Sequence, residues 1–257
     1  MHTESDMTTD EKSPPISRPQ RVAAWLVHGF TATGAVLGLL ALDAISRNEF
    51  RWALWLMGIA IVVDAADGSL ARRVRIKAAA PQIDGALLDN LIDYFNYVMV
   101  PAFFMIATQL LPIGLNYAGA ILVTMVSAYQ FTQIDAKTED HFFKGFPSYW
   151  NIAVLYLYLW ETAPWTNVFI IVFLSVLVFV PVKYVYPSRL EYLTRNPRLR
   201  QAMLAATLLW GGGVACLLWI YPRTNGLLRF ISIGYILLYA LVSVYRTFYP
   251  LETRPDV

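Results

Sequence analysis

Residues 64–93 read DAADGSLARRVRIKAAAPQIDGALLDNLID, and long apolar runs flank this stretch on both sides. Asp64 and Asp67 are three residues apart, a spacing that places both side chains on one face of a helix. Asp89 and Asp93 are four residues apart and share a face of the helix that follows. Two adjoining helices would therefore bring four carboxylates together at one membrane boundary.

The composition is that of an integral membrane protein. Of the 257 residues, 57% are hydrophobic and only 15% are charged, and the mean hydropathy is +0.49. A bilayer core about 30 Å thick needs roughly 20 apolar residues in a helix. That length predicts an all-α, polytopic membrane bundle of about eight transmembrane helices. The predicted spans are residues 22–45, 51–70, 86–109, 112–132, 148–162, 166–186, 202–221 and 227–247.

The distribution of lysine and arginine predicts the orientation, because these residues are retained on the cytoplasmic side. With the N-terminus inside, sixteen of the 20 fall on the cytoplasmic side. The opposite side holds Arg47, Arg51, Arg223 and Arg229. We therefore expect a disordered cytoplasmic tail at residues 1–20, a membrane domain at 21–250 and a short cytoplasmic tail at 251–257.

Clustered carboxylates at a membrane boundary predict a metal site. Ionised groups in a membrane span are costly unless they face water, a partner or a metal, and neighbouring anions also repel one another. Mg²⁺ or Mn²⁺ removes both problems and characteristically bridges carboxylates to substrate phosphates. An ion-coupled transporter is the alternative from another functional class. It would favour carboxylates near the bilayer midplane and a repeated half, and the chain shows no convincing repeat.

The same stretch resembles the signature of the CDP-alcohol phosphatidyltransferases, D-x2-D-G-x2-A-R, a spacer, then G-x3-D-x3-D. All eight defining positions match: Asp64, Asp67, Gly68, Ala71, Arg72, Gly85, Asp89 and Asp93. The resemblance implies a six-helix membrane core, to which this chain adds further helices. It also implies that Asp64, Asp67 and Asp89 bind metal, with Asp93 contributing to the second ion of a pair and acting as the catalytic base.

The resemblance further implies a nucleotide-binding side of this site. Gly68, Ala71 and Gly85 would leave room for the cytidine diphosphate group. Arg72 would pair with a phosphate or orient Asp67. Thr31, near the cytoplasmic end of the first span, is either a cytidine contact or a helix-packing hydroxyl.

Two features resemble one branch of that family, the bacterial phosphatidylcholine synthases. The spacer, residues 73–84, has twelve residues where the family usually has eight, and the segments PQIDGALLDNLIDYFNYVMVP and KTEDHFFKGFPSYWN resemble the branch as well. The resemblance implies condensation of CDP-diacylglycerol with choline to phosphatidylcholine and CMP, in a homodimer of the bacterial inner membrane. Serine, inositol and glycerol phosphate are alternative acceptors on the same catalytic core.

Choline carries a permanent positive charge, so its selection calls for aromatic faces. Tyr94, Tyr97, Tyr149 and Trp150 are the candidates, because they adjoin the motif helix or belong to the segment GFPSYW. Aromatic residues make up 14% of the chain, so accidental proximity is the competing explanation.

The remaining features have structural interpretations. Asp84 is expected to cap a helix or to be a solvated side chain. The loop cations Arg73, Arg75 and Lys77 either anchor anionic headgroups or contact substrate. Gly34 and Gly38 form a GxxxG spacing that predicts close helix packing, and the glycine run 211–213 is expected to pack or to loosen its helix. Cys216 is predicted to be a buried small residue.

Overall fold

The computed structural model describes residues 16–136, 138, 142–185, 190 and 193–249. Within these ranges, α-helices and one π-helical turn follow one another along the chain, with two short strands. The helices are α1 Arg18–Ser46, α2 Phe50–Arg73, α3 Ile76–Ala79, α4 Gly85–Tyr94, the π-helix Phe95–Met99, α5 Val100–Ala107, α6 Asn116–Thr132, α7 Trp150–Leu159, α8 Pro164–Leu177, α9 Pro197–Ile220 and α10 Gly226–Phe248. The strands are β1 Phe143–Lys144 and β2 Lys183–Tyr184.

The first helix begins at a capping box that the sequence encodes. The hydroxyl of Ser17 accepts a hydrogen bond from the backbone N–H of Gln20, and the Gln20 side chain accepts one from the backbone N–H of Ser17. Pro19 occupies the first turn, where a missing N–H costs nothing. The helix thus starts inside the predicted tail of residues 1–20. Residues 1–15 and the predicted tail at 251–257 lie outside the described residues.

Helices occupy all eight predicted positions, and the all-α membrane fold is confirmed. Among the described residues, five helices are long and apolar enough to cross a bilayer. They are Arg18–Ser46, Phe50–Arg73, Gly85–Ala107, Pro197–Ile220 and Gly226–Phe248. The other three, α6, α7 and α8, have 17, 10 and 14 residues. At 1.5 Å per residue, α7 is only about 15 Å long.

The predicted span 166–186 is too long at its C-terminal end. Helix α8 ends at Leu177, and Pro181 follows before the chain becomes extended in β2. Strand β2 pairs antiparallel with β1, which precedes α7. The chain after α8 is therefore extended and pairs with the segment before α7, whereas the apolar pattern alone predicts that the helix continues to residue 186.

Helix α1 packs most extensively against α2 and then against the Gly85–Ala107 helix, which comprises α4, the π-turn and α5. Gly34 and Gly38 explain the second contact. A Cβ at Gly34 would come within 2.7 Å of Ile92, and one at Gly38 within 2.5 Å of the Phe95 ring. The close packing predicted from the GxxxG spacing is present, and it lies inside one chain.

The outer surface suits lipid. Large apolar side chains such as Leu26, Val62 and Leu241 are about two-thirds exposed, as expected where the surrounding solvent is hydrocarbon. Cys216 on α9 is also exposed, so the prediction that it is buried was wrong, because its side of the helix faces away from the rest of the described chain. An added Cβ at Gly211 or Gly212 would likewise meet no heavy atom within 4 Å, so these two glycines make no close packing contact.

Candidate active site

The carboxylates of the quoted stretch meet in a recess between α2 and the Gly85–Ala107 helix. Asp64, Asp89 and Asp93 are half-buried, and one carboxylate oxygen from each lies within 4.8 Å of the other two. Asp67 is only 5% exposed and lines the same recess. The three- and four-residue spacings therefore place all four carboxylates on facing surfaces of two helices.

Helix α1 closes the third side of this recess. Thr31 and Gly34 come from α1, and apolar or amide side chains complete the wall between the carboxylates. The lining residues besides the aspartates are Thr31, Gly34, Ala60, Val63, Ile92, Asn96 and Tyr97.

Thr31 lies beside Asp67. Its hydroxyl donates a hydrogen bond to the carbonyl oxygen of Val27, one turn earlier, with 3.2 Å between the oxygens, and it lines the same recess as the Asp67 side chain. Thr31 is 8% exposed. Both interpretations of this hydroxyl, helix packing and ligand contact, are compatible with its position at the wall of the recess.

The donor atoms fit a hard divalent cation. Three carboxylates this close repel one another unless positive charge lies between them. Carboxylate oxygens are the ligands that Mg²⁺ and Mn²⁺ prefer, and these cations also bind phosphate oxygens. Asp64, Asp89 and Asp93 would hold the cation, with Asp67 alongside.

Tyr97 contributes a contact that the signature does not contain. Its phenol O–H donates a hydrogen bond to Oδ2 of Asp64, with 2.7 Å between the oxygens. Tyr97 is 6% exposed and lies four residues after Asp93, on the same helix face. That four-residue spacing was the only sequence signal for its position, and it predicted no bond to Asp64.

The π-turn at Phe95–Met99 follows Asp93 almost directly. The backbone N–H of Val100 bonds to the carbonyl of Phe95, five residues back, and Pro101 comes next. A proline inside an α-helix lacks an N–H donor and collides with the carbonyl four residues earlier, so wider winding accommodates it. Pro101 was the available sequence signal for this irregularity.

Asp84 begins the helix that carries Asp89 and Asp93. Its side chain accepts hydrogen bonds from the backbone N–H groups of Ala86 and Leu87, each at 3.0 Å. Of the two expected roles of Asp84, capping or solvation, the structure shows capping. The cap fixes where α4 starts and hence the height of the two carboxylates along the helix.

The residues assigned to the nucleotide lie at the same end of α2 and α4. A Cβ at Gly68 would meet only Arg72, at an ordinary 3.5 Å, and Ala71 is half-buried. Arg72 is exposed, and its guanidinium donates a hydrogen bond to Ser69 at 3.2 Å. At Gly85 an added Cβ would come within 3.1 Å of the buried ring of His28, so this glycine also makes room for α1.

The loop cations lie at the surface. Arg73, Arg75 and Lys77 are exposed around the short helix α3, while Ala79 and Ala80 beside them pack against α1. This placement is compatible with lipid anchoring and with substrate contact.

The four aromatic candidates separate into two pairs. Tyr97 lines the recess, and its ring packs edge-to-face with that of Tyr149, with 6.0 Å between the centroids. Phe143 also packs edge-to-face against Tyr149, with 6.3 Å between the centroids. Tyr94 instead donates to the carbonyl of Thr124 on α6.

Trp150 is completely buried, and its indole N–H donates to the hydroxyl of Ser127 at 2.7 Å. Neither Tyr94 nor Trp150 lines the recess. Phe143 was not among the residues singled out from the sequence, because only its contact with Tyr149 associates it with the site.

Comparison with known families agrees with this geometry. The family model for CDP-alcohol phosphatidyltransferase matches residues 25–182, more than half of the chain. The chain belongs to the CDP-alcohol phosphatidyltransferase family. Members of this family are membrane-embedded helical phosphatidyltransferases that generally use divalent metals. The aspartate recess lies entirely within the matched residues.

Individual members of the family are similar over nearly the whole chain. Phosphatidylcholine synthase of Legionella pneumophila is 48% identical over 239 residues, which cover 93% of this chain and 94% of that protein. Phosphatidylcholine synthase of Legionella bozemanae is 48% identical over 217 residues, covering 84% and 100%. Phosphatidylcholine synthase of Borreliella burgdorferi is 32% identical over 234 residues, covering 88% and 95%.

The family match covers the helices from α1 to α8 and leaves out the last two. The long helices α1 and α2, the Gly85–Ala107 helix and the shorter α6, α7 and α8 lie largely or wholly within residues 25–182. Helices α9 and α10 follow the match. This division agrees with the expected six-helix family core plus additional helices.

Proposed function

We propose that this chain transfers the phosphatidyl group of CDP-diacylglycerol to choline, giving phosphatidylcholine and CMP. The observation that carries the proposal is the 48% identity to phosphatidylcholine synthases over 93% of the chain. The carboxylate recess supports the reaction class, because its oxygen donors suit a diphosphate substrate with its divalent cation.

In the proposed mechanism, Asp64, Asp67 and Asp89 would hold one ion of a metal pair. Asp93, whose carboxylate lies with those of Asp64 and Asp89, would contribute to the second ion. Bound Mn²⁺ or Mg²⁺ would supply electrostatic stabilisation of the diphosphate and of the charge that develops on departing CMP. The carboxylates position that charge between α2 and α4. Their half-buried setting limits solvent screening of the interaction.

Asp93 is the proposed base. The choline hydroxyl oxygen forms a new bond to the β-phosphorus, and the phosphorus–oxygen bond to CMP breaks with its electron pair leaving on CMP. The hydroxyl proton passes to the Asp93 carboxylate as the attack proceeds. Asp93 lies one turn along α4 from Asp89, inside the same recess, so it reaches an acceptor placed against the diphosphate.

We assign the nucleotide side to Thr31, Gly68, Ala71, Arg72 and Gly85. Gly68, Ala71, Arg72 and Gly85 lie near the C-terminus of α2 and the N-terminus of α4, and Thr31 on α1 lines the adjoining recess. Gly68 leaves space beyond its contact with Arg72. The exposed Arg72 guanidinium is available to a phosphate from that side.

For choline we propose Tyr97 and Tyr149 as the nearer contacts. Their edge-to-face pair presents aromatic surface beside Asp64, where it would stabilise a quaternary ammonium group. Tyr94 and Trp150 remain in the proposed set as residues that support these two rings. Tyr94 contacts α6, and Trp150, which follows Tyr149 in the sequence, is fully buried.

The proposed location is the bacterial inner membrane, with both termini and the active site on the cytoplasmic side. The excess of lysine and arginine on that side supports this orientation. We also propose a homodimer. Gly34 and Gly38 are not available for its interface, because they already pack against the Gly85–Ala107 helix.

The test is transfer of label from radiolabelled choline to lipid in membranes that contain the protein. We expect phosphatidylcholine only when CDP-diacylglycerol and Mn²⁺ are both present, and none with EDTA. Asp93→Asn should lose the activity, whereas Asp84→Asn should keep it, because asparagine caps helices as well as aspartate does. Transfer to serine or another alcohol, but not to choline, would refute the acceptor assignment while leaving the family chemistry intact.

A further inference from the structure

Tyr97 is outside the family signature, yet it touches one of the signature carboxylates. The hydrogen bond from its phenol to Oδ2 of Asp64 joins the π-turn to α2 across 33 residues of sequence. At 2.7 Å, its length is that of a well-formed O–H···O hydrogen bond. The bond thus connects the two helices that supply the metal-binding aspartates.

The Tyr97 ring is held from several sides. It is 6% exposed and belongs to the buried core, and the Tyr149 ring packs edge-to-face against it with 6.0 Å between the centroids. The π-turn before Pro101 sets the backbone that carries it. A donor restrained in this way holds its acceptor in one orientation.

We propose that Tyr97 is a positioning residue for Asp64: its hydroxyl fixes the Asp64 carboxylate so that the remaining oxygen lone pairs face Asp89 and Asp93. A carboxylate has about four lone-pair sites, so one donated hydrogen bond leaves enough for a metal ion. Hydrogen-bond partners of metal ligands orient those ligands and tune their affinity. This inference rests on the proposed metal-dependent function.

The substitution Tyr97→Phe tests it, since it removes the hydroxyl and keeps the ring. Tyr94→Phe is the matched control: it removes a hydroxyl on the same helix that bonds to the Thr124 carbonyl, at 3.0 Å, instead of to an aspartate. Mn²⁺ binding to each purified full-length protein is measured by electron paramagnetic resonance of the free ion. Choline KM, the Mn²⁺ concentration for half-maximal transfer and the thermal midpoint are measured in parallel.

We expect Tyr97→Phe to weaken Mn²⁺ binding about ten-fold or more, the usual effect of losing a partner of a metal ligand. Tyr94→Phe should leave Mn²⁺ binding unchanged, even if it lowers the thermal midpoint as much. In an Asp64→Asn background, adding Tyr97→Phe should weaken Mn²⁺ binding much less than it does in the wild type, because the ligand that Tyr97 orients is already altered.

Unchanged Mn²⁺ binding in Tyr97→Phe would overturn the inference, as would equal weakening by both tyrosine variants. Absence of Mn²⁺ binding by the wild-type protein would also overturn it. Binding is measured without transfer, so a protein that uses serine in place of choline would refute the acceptor assignment and leave the Tyr97 result to be judged independently.

Discussion

Replacing Gly38 with alanine is expected to disturb the site from outside it. Gly38 lies on α1 against the π-turn, where an added Cβ would come within 2.5 Å of Phe95 Cε1 and 2.7 Å of Asn96 Oδ1. The close approach also lets the Asn96 amide donate to the Gly34 carbonyl at 3.0 Å. The methyl group would therefore push apart two helices that line the recess.

The magnitude follows from these distances. An ordinary carbon–carbon contact is about 3.5 Å, so the Phe95 ring or its helix must move by about 1 Å. Overpacking of this kind costs about 1–3 kcal/mol, and weakening the buried amide bond adds about 1 kcal/mol. The higher helix propensity of alanine than of glycine offsets about 1 kcal/mol of this destabilisation. The expected net destabilisation is about 1–3 kcal/mol.

A displacement of about 1 Å in a catalytic arrangement can cost about 100-fold in rate. Asp93 lies two residues before Phe95, so we expect a loss of roughly 10- to 100-fold in choline transfer for Gly38→Ala. Thermal unfolding in detergent and the radiolabel assay measure the two effects. Gly29→Ala is the control on the same helix, since its Cβ would meet no heavy atom within 4 Å.

Equal thermal midpoints and equal activities of Gly38→Ala and Gly29→Ala would refute the expected overpacking at Gly38. A double-mutant cycle adds a sharper criterion. Phe95→Ala should cost less stability in the Gly38→Ala background than in the wild type, because the truncated side chain no longer collides with the new methyl group. Additive losses of stability would show that the methyl group of Gly38→Ala does not destabilise the protein by colliding with Phe95.

Three further predictions concern the cap, the turn and the metal. Asp84→Ala should lower stability by about 1 kcal/mol in thermal melts while the retained protein still transfers choline, whereas Asp84→Asn should match the wild type. Gly145→Ala should sharply reduce the yield of folded protein, because its φ is 79° and its Cβ would lie 2.2 Å from the Val178 carbonyl oxygen; Gly114→Ala, with φ 89° but open space, should show the smaller cost of backbone strain alone. Mn²⁺ should raise the thermal midpoint of EDTA-treated wild type but not that of Asp89→Asn, and an equal rise in both would locate the binding elsewhere.

The carboxylate arrangement could be predicted because it depends on helix periodicity alone. Asp64 and Asp67 share a face at a three-residue spacing, and Asp89 and Asp93 share one at a four-residue spacing. Both helices are apolar and nearly consecutive, so their adjacency follows from the short connection. The capping role of Asp84 was equally local, since the acceptor and its two N–H donors lie within three residues.

The aromatic neighbours could not be separated by the same reasoning. Tyr149 and Trp150 are adjacent in sequence, yet one ring packs against Tyr97 and the other is fully enclosed. Adjacent residues on a helix point about 100° apart, so the rotation of α7 decides which of the two rings reaches Tyr97. Ser148, just before α7, adopts a left-handed backbone conformation with φ 55°. A non-glycine residue rarely adopts that conformation unless tertiary packing holds it there, so the local sequence does not predict it.

The Gly85–Ala107 helix couples packing to chemistry because its two adjacent faces have different neighbours. Ile92, Phe95 and Asn96 face the glycines of α1, whereas Asp89 and Asp93 face the carboxylates of α2. Rotating this helix to relieve one contact necessarily moves the other face by a similar distance. The glycine stripe therefore sets the spacing of the carboxylates although it contributes no side-chain ligand, and an alanine there should impair metal binding along with packing.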